Sequence, residues 1–354
     1  MTVLVLGGTG AMGKPIVRKL ADSGNSVIVT SRHKQSNEGN IKYLLGDAHD
    51  VIFLKTILSE RYDAIVDFMV YTPEEFSQRV DTLLEATDHY IFLSSSRVYA
   101  DSGLVPITEL SDRLFDTTDN KEFVKSEEYA MAKAQEENML LSHRKKNYTI
   151  IRPYITYNDN RLQLGIYEKE LWLQRALSGK KIVVCNCIMD KITTLTYGDD
   201  VAERIACLIG KEQVKGEVFH ITAGTPIKWA DVLALYLDVL EEHVGKRPEV
   251  VYINNLDSLS EEEHYYQMHY DRMYNRIFDN SKINKVLGES RDCIEPIEGL
   301  RMCLENFLEG EQKFIYKRWR QEAVFDRLTG EKEKLRNIPG LVDKMRYIAY
   351  RYLI

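Results

Sequence analysis

Short, almost wholly apolar runs recur along the first half of the chain: Val3 to Leu6, Ser26 to Thr30, Ile41 to Leu45, Asp63 to Val70, Tyr90 to Ser94 and Tyr148 to Ile151. Each has the length of a buried strand. Between them lie segments with apolar residues at helical spacing, among them Ile16, Val17 and Leu20, the stretch Pro73 to Thr87, and the good helix formers of Lys125 to Leu141. A strand that is apolar on both faces must be covered on both, and helices alternating with such strands supply the cover. The pattern predicts an α/β chain on a parallel, doubly wound sheet.

Beyond Tyr157 the pattern loosens. A helix over Tyr167 to Leu177 and a strand over Ile182 to Cys187 form a first lobe segment. Thr193 to Tyr197, a helix over Asp199 to Ile209, and Val218 to Thr222 read as a return to the main sheet. A helix over Trp229 to His243, a strand over Glu249 to Ile253 and a tyrosine-rich loop from His264 to Tyr274 follow. The expected organisation is residues 1–160 with 193–222 as the main domain, 161–192 and 223–305 as a smaller C-terminal lobe, and 306–354 as a basic, amphipathic helical tail.

The first strand runs into Gly7-Gly8-Thr9-Gly10-Ala11-Met12-Gly13, which satisfies both G-x-G-x-x-G and G-x-x-G-x-x-G. Glycines there permit a tight turn, close approach of backbone N–H groups to a pyrophosphate, and close helix-on-strand packing, with the helix N-terminus facing the phosphates. The strand–loop–helix context makes this a Rossmann-type dinucleotide site. Ligands of such sheets lie at the carboxyl ends of the strands. The second strand ends in Ser31-Arg32-His33-Lys34, without the acid that holds an NAD ribose, so the cofactor is expected to be NADP, with NAD as the alternative. Asp47 after the third strand is placed to accept from adenine, and Phe68, Pro153 and Ile155 complete the expected cofactor contacts. Asp67 is assigned no role, since an acid inside the fourth strand is satisfied locally.

Tyr129 and Lys133 are four apart on a predicted helix and share a face. A phenol with a pKa near 10 is a weak base at neutral pH unless a nearby cation favours the phenolate. Lys133 supplies that charge and reaches the cofactor ribose, while Ser95 or Ser96 holds a substrate oxygen.

The net charge of −7 argues against nucleic acid as the main partner. From Gln312 to Ile354, however, eleven Lys or Arg stand against five Asp or Glu. The tail is therefore expected to dock on the acidic body or a neighbouring subunit, ahead of a membrane-surface or polyanion contact. The five cysteines lack paired C-x-x-C spacing, so reduced thiols in a cytoplasm are expected, with Cys185 and Cys187 packed on one face of a strand. His264 and His269 have no metal-ligand spacing, and no metal is expected. No stretch approaches the roughly 20 apolar residues of a membrane span, so no membrane partner is expected.

The chain resembles the extended short-chain dehydrogenase/reductase superfamily, in particular its NAD(P)-dependent nucleotide-sugar epimerase/dehydratase group. The likeness rests on the glycine loop, Gly46-Asp47, S-S-S-R-V-Y at 94–99, Y-A-M-A-K at 129–133, Arg152-Pro153, Thr196 to Ala202 and Phe278 to Lys282. It implies Tyr129 as acid/base, Lys133 as cofactor and tyrosine partner, and Ser95 on the reacting hydroxyl. It also implies a lobe that binds a nucleotide-linked sugar, with Arg161 and Arg272 as phosphate candidates, and a homodimer. Ser96-Arg97 stands where sugar dehydratases carry an acidic pair, which disfavours dehydration. The expected activity is oxidation–reduction or epimerisation at a sugar hydroxyl or ketone. The alternative is a catalytically atypical dinucleotide-binding protein that binds RNA or a protein, because Ala64 to Tyr71 and Thr194 to Asp200 also resemble the branch that includes the chloroplast stem-loop-binding proteins.

Overall fold

The computed structural model describes every residue except 11, 102, 104, 255–261, 289–292, 316, 317 and 354. Strands β1 (Thr2–Leu6), β2 (Ser26–Ser31), β3 (Ile41–Leu45), β4 (Ala64–Asp67), β5 (Tyr90–Leu93) and β6 (Tyr148–Pro153) join a later strand, Glu217–Ile221, in one sheet. From one edge the order is Glu217–Ile221, β6, β5, β4, β1, β2, β3. Every pairing is parallel. Alternation along β1 explains the two layers of helices. Val3 and Val5 face a core holding Ile16, Val17 and Leu20 of helix α1 (Gly13–Asp22), whereas Leu4 and Leu6 face one holding Leu54, Phe76 and Leu83. Each such side chain contributes about 1.5–3 kcal/mol on burial. The connections reverse direction between β1 and β4, which opens a crevice at the carboxyl ends of those strands.

The helical stretch Pro73 to Thr87 is two helices, Pro73–Ser77 and Val80–Glu85. A capping box fixes the first: Thr72 N donates to Glu75 Oε2 (2.8 Å) and Glu75 N to Thr72 Oγ1 (3.1 Å). The break falls at Arg79, whose guanidinium donates to the His49 carbonyl (3.2 Å) and lies over the Tyr71 ring. Thr193 to Tyr197 does not rejoin the main sheet. Ile192–Thr193 pairs antiparallel with Ile227–Lys228, and Thr196–Tyr197 also lies outside the seven strands. Its threonines give it too little apolar surface for a strand covered on both faces.

The residues fall into two compact units. One comprises Met1–Thr156, Thr194–Thr225 and Ile277–Ile294; the other comprises Tyr157–Thr193, Pro226–Arg276 and Glu295–Ile354. Ile277–Ile294, read from the sequence as part of the lobe segment 223–305, belongs to the first unit because Ile283 enters the core around Phe219 and Ile205. In the second unit Trp172 stacks on Tyr236 with centroids 4.5 Å apart.

Three further expectations for the second unit are corrected. The tyrosine-rich loop is helical, over Glu262–Gln267 and a wider turn Met268–Arg272, which places buried Asp271 between Arg272 and Arg276. Cys185 and Cys187 do not share a strand face as thiols: the chain passes from strand into the turn Asn186–Met189, and the two sulfurs are bonded. The tail docks through its acids rather than its basic surplus. Arg175 meets Glu322, Asp326 and Glu331, and Lys180 meets Glu322, Asp326 and Glu333. No helix among the described residues is long and apolar enough to cross a membrane.

His89 and Glu136 are both buried in the first unit. His89 is placed by Thr149 Oγ1, 2.8 Å from Nε2, and by the Gly210 N–H, which donates to Nδ1 (3.1 Å). Burial pushes its pKa down to about 4. Glu136, on the helix Tyr129–Ser142, accepts from Lys133 Nζ (2.9 Å); burial pushes its pKa up to about 7 against the pull of that cation.

The two act with opposite sign. Unfolded His89 takes up its proton first, so its contribution is lost as pH falls from 6.5 to about 4. Folded Glu136 holds its proton longer, so its contribution is lost as pH rises from 4.5 to about 7. Each is worth about 3 kcal/mol over its window, and the slopes oppose where the windows overlap. In urea unfolding followed against pH, Glu136→Gln is expected to make stability rise with pH between those limits and His89→Asn to make it fall. Variant curves that merely run parallel to wild type would contradict the assignment.

Candidate active site

The glycines divide the work at the end of β1. Gly7 has φ +71°, a conformation that glycine adopts without a Cβ penalty, and its N–H donates to Thr30 Oγ1 (3.1 Å). A Cβ on Gly13 would lie 2.6 Å from the Gly8 backbone, so these two residues allow α1 to start directly against the loop. Gly10 is exposed, with nothing closer to such a Cβ than the Gly7 carbonyl at 3.6 Å. Helix α1 has no side-chain cap and no acid in its first turn. Its first N–H groups and positive dipole end thus face the crevice edge, an arrangement that fits a pyrophosphate. Thr9 is half-buried in this loop, and Met12 accepts at Sδ from Thr156 Oγ1 (3.1 Å). Ala11 lies outside the described residues.

The polar centre of the unit is Glu137, buried on the Tyr129–Ser142 helix. Arg152 of β6 grips it twice, Nε to Oε1 (2.8 Å) and Nη2 to Oε2 (2.6 Å), and Ser94 Oγ donates to Oε1 (2.6 Å). Arg113 adds Nη1 to Oε2 at 3.2 Å. Ser96 Oγ in turn donates to the Arg152 carbonyl (2.8 Å). These bonds fix the turn Ser96–Val98, for which Ser95 is the N-cap, accepting from Arg97 N (3.2 Å). Ser95 and Ser96 are both buried.

Tyr129 is the first residue of its helix and half-buried. The Arg97 guanidinium lies 5.4 Å from its ring centre and pairs with Glu128, the helix N-cap. Sequence reasoning noted Arg97 only as a departure and missed it as the cation at Tyr129; a basic residue straight after the serine pair was the available signal. Lys133 lies one turn on from Tyr129, but its ammonium is directed to Glu136 and to the Phe92 ring (4.7 Å) and is buried. Near it Asp67 accepts from Tyr90 Oη (2.8 Å), Tyr71 Oη (3.2 Å) and Met69 N (2.9 Å). Burial raises the Asp67 pKa. It is satisfied within the fold, as its lack of an assigned role anticipates.

The other positions singled out in the sequence divide into open and committed. Arg32 is exposed just past β2. Ser31 is buried, its hydroxyl donating to the His33 carbonyl (2.7 Å). Asp47 accepts from His49 N (3.0 Å), and Phe68 N donates to the Leu6 carbonyl (3.0 Å) across β4 and β1. Pro153 closes β6, and Ile155 just beyond it has φ +30°, a strained value for a β-branched residue. Arg161 is paired with Glu168 (3.2 Å) and partly exposed. Arg272 is buried, its guanidinium on Asp271 and on the Gly165 carbonyl (3.1 Å). Among the described residues no three His, Cys, Asp or Glu side chains are arranged to hold a metal.

Comparison with known proteins places this geometry in context. Residues 3–222 match the NAD dependent epimerase/dehydratase family. A chloroplast stem-loop binding protein of 41 kDa from Arabidopsis thaliana is 29% identical over 240 residues, 62% of this chain and 58% of that protein. A UDP-glucose 4-epimerase from Lactobacillus helveticus is 30% identical over 131 residues, 31% of this chain and 40% of the enzyme. The chain thus spans about half the length of the curated relatives it matches. Among solved structures, a dTDP-glucose 4,6-dehydratase from Bacillus anthracis in complex with NAD shares the fold at TM-score 0.66 and 17% identity, over 89% of this chain and 98% of the other. With more than half of its length matched by the family model, the chain belongs to the NAD dependent epimerase/dehydratase family.

Proposed function

We propose that the chain is an NAD(P)-dependent epimerase or reductase acting on a hydroxyl or ketone of a nucleotide-activated sugar. The observation that carries the reading is Tyr129 at the start of its helix, beneath the Arg97 guanidinium and on the helix that Glu137 clamps to the Ser95 turn. The glycine loop and the uncapped end of α1 hold the dinucleotide, with Arg32 on a 2′-phosphate. A nicotinamide bound there would supply the hydride chemistry at the sugar carbon.

Tyr129 moves the matching proton on the sugar oxygen. Arg97 is the cation beside the Tyr129 ring, 5.4 Å from its centre. Ser95 orients the same oxygen by hydrogen bonding. Lys133 also serves the cofactor ribose, a role in which its bond to Glu136 sets where the ammonium rests. Arg161 remains a candidate for a sugar-linked phosphate. The net charge of −7 weighs against the RNA-binding alternative suggested by the stem-loop relative.

Tyr129→Phe is expected to lower turnover of an accepted nucleotide sugar by about 10²–10⁴-fold, the usual loss of a general acid/base, while NADPH affinity measured by calorimetry holds. Unchanged turnover would remove Tyr129 from the chemistry. Arg32→Ala is expected to weaken NADPH binding about tenfold, toward the NADH value, through loss of a charge-assisted phosphate contact. Equal loss for both cofactors, or none, would assign Arg32 no part in choosing between them.

A further inference from the structure

The closing helix of the second unit, Leu341–Ile348, with its wider continuation Ala349–Leu353, carries two different faces. One packs inward: Tyr347 is buried, meets the Trp319 ring edge-on and donates its hydroxyl to Asp326 (2.6 Å). The opposite face is apolar and exposed. Leu341, Met345, Ile348 and Tyr352 fall in one row at helical spacing, and Val342 and Leu353 widen it. Leu341 is 72% and Leu353 78% exposed, which is unusual for side chains whose exposure to water costs free energy.

Charge decides what such a face fits. Lys344 falls along one edge of the row and Arg346 along the other, with Lys332, Lys334 and Arg336 exposed on the segment before it. The acids that could offset them are turned elsewhere. Glu331 is drawn to Arg175 (2.9 Å) and Glu333 to Lys180 (3.2 Å), which leaves Asp343 beside Arg346 (3.7 Å) on the helix itself. An apolar strip edged by cations, with its acids consumed inward, has the form of a helix that lies in a membrane interface. A second copy meeting the same face about a two-fold axis would set these cations against one another.

We propose that this face is a peripheral docking surface for an anionic lipid bilayer. The apolar row enters the headgroup boundary, the basic edges meet lipid phosphates and carboxylates, and the protein remains on the surface without a span. The acidic tail residues have a double part: they anchor the tail to Arg175 and Lys180, and by doing so they unmask its positive charge.

The test is cosedimentation of the full chain with vesicles of phosphatidylcholine alone and with phosphatidylserine added. Binding is expected only to the serine-containing vesicles and is expected to fall as salt is raised. Lys344→Gln and Arg346→Gln should each weaken it about fivefold, and Leu341→Asp with Met345→Asp should abolish it while the thermal midpoint holds, since both positions are exposed. No binding by wild type, or binding that these substitutions leave unchanged, would overturn the proposal. A wild-type dimer in sedimentation that Leu341→Asp with Met345→Asp splits into monomers would overturn it as well, and would give the row to a second copy.

Discussion

The first unit depends on one buried carboxylate. Glu137 gathers Arg152, Ser94 and Arg113, and through them β6, β5 and the turn that carries Ser95. Removing one partner from a buried ion pair typically costs 3–5 kcal/mol, because the remaining charge is stranded without water. Such a cost makes the arrangement all-or-none. The helix that begins with Tyr129 has one register on the sheet, and the residues proposed for chemistry inherit their places from it.

Much of this was legible in the sequence because the strands are short and apolar throughout. Val3 to Leu6, followed by the glycines and the apolar face of α1, announces both the sheet and the tight turn into that helix. What the pattern could not show was the fate of polar groups. Glu136 and Glu137 are adjacent acids on a helix of good formers, and nothing in composition says that one clamps the sheet and the other takes the ammonium of Lys133. Arg161 and Arg272 look alike in sequence, yet one is partly exposed and the other is enclosed with Asp271. Segments of two or three residues also escaped. Thr193 to Tyr197 has β-propensity, but its residues enter separate two-stranded pairs and not the main sheet.

The tail shows the same limit. Its basic surplus suggested that cations dock it, whereas Arg175 and Lys180, far back in sequence, attract its few acids. A net charge sums all residues alike; which ones are buried sets the charge that a partner meets. The helix Trp319–Thr329 supplies Glu322 and Asp326 to those cations, and the rest of the tail is left with its apolar row and basic edges outward.

The proposed chemistry requires Tyr129 and a dinucleotide on the glycine loop to work on the same sugar carbon. The most direct measurement is nicotinamide fluorescence of the protein loaded with oxidised cofactor, recorded as a panel of nucleotide sugars is added. A nucleotide sugar is expected to raise reduced-nicotinamide fluorescence in wild type, transiently for an epimerase and lastingly for net oxidation, and Tyr129→Phe is expected to abolish the rise with the cofactor still bound. A protein that binds neither NADP nor NAD, or a rise that persists unchanged in Tyr129→Phe, would contradict that chemistry.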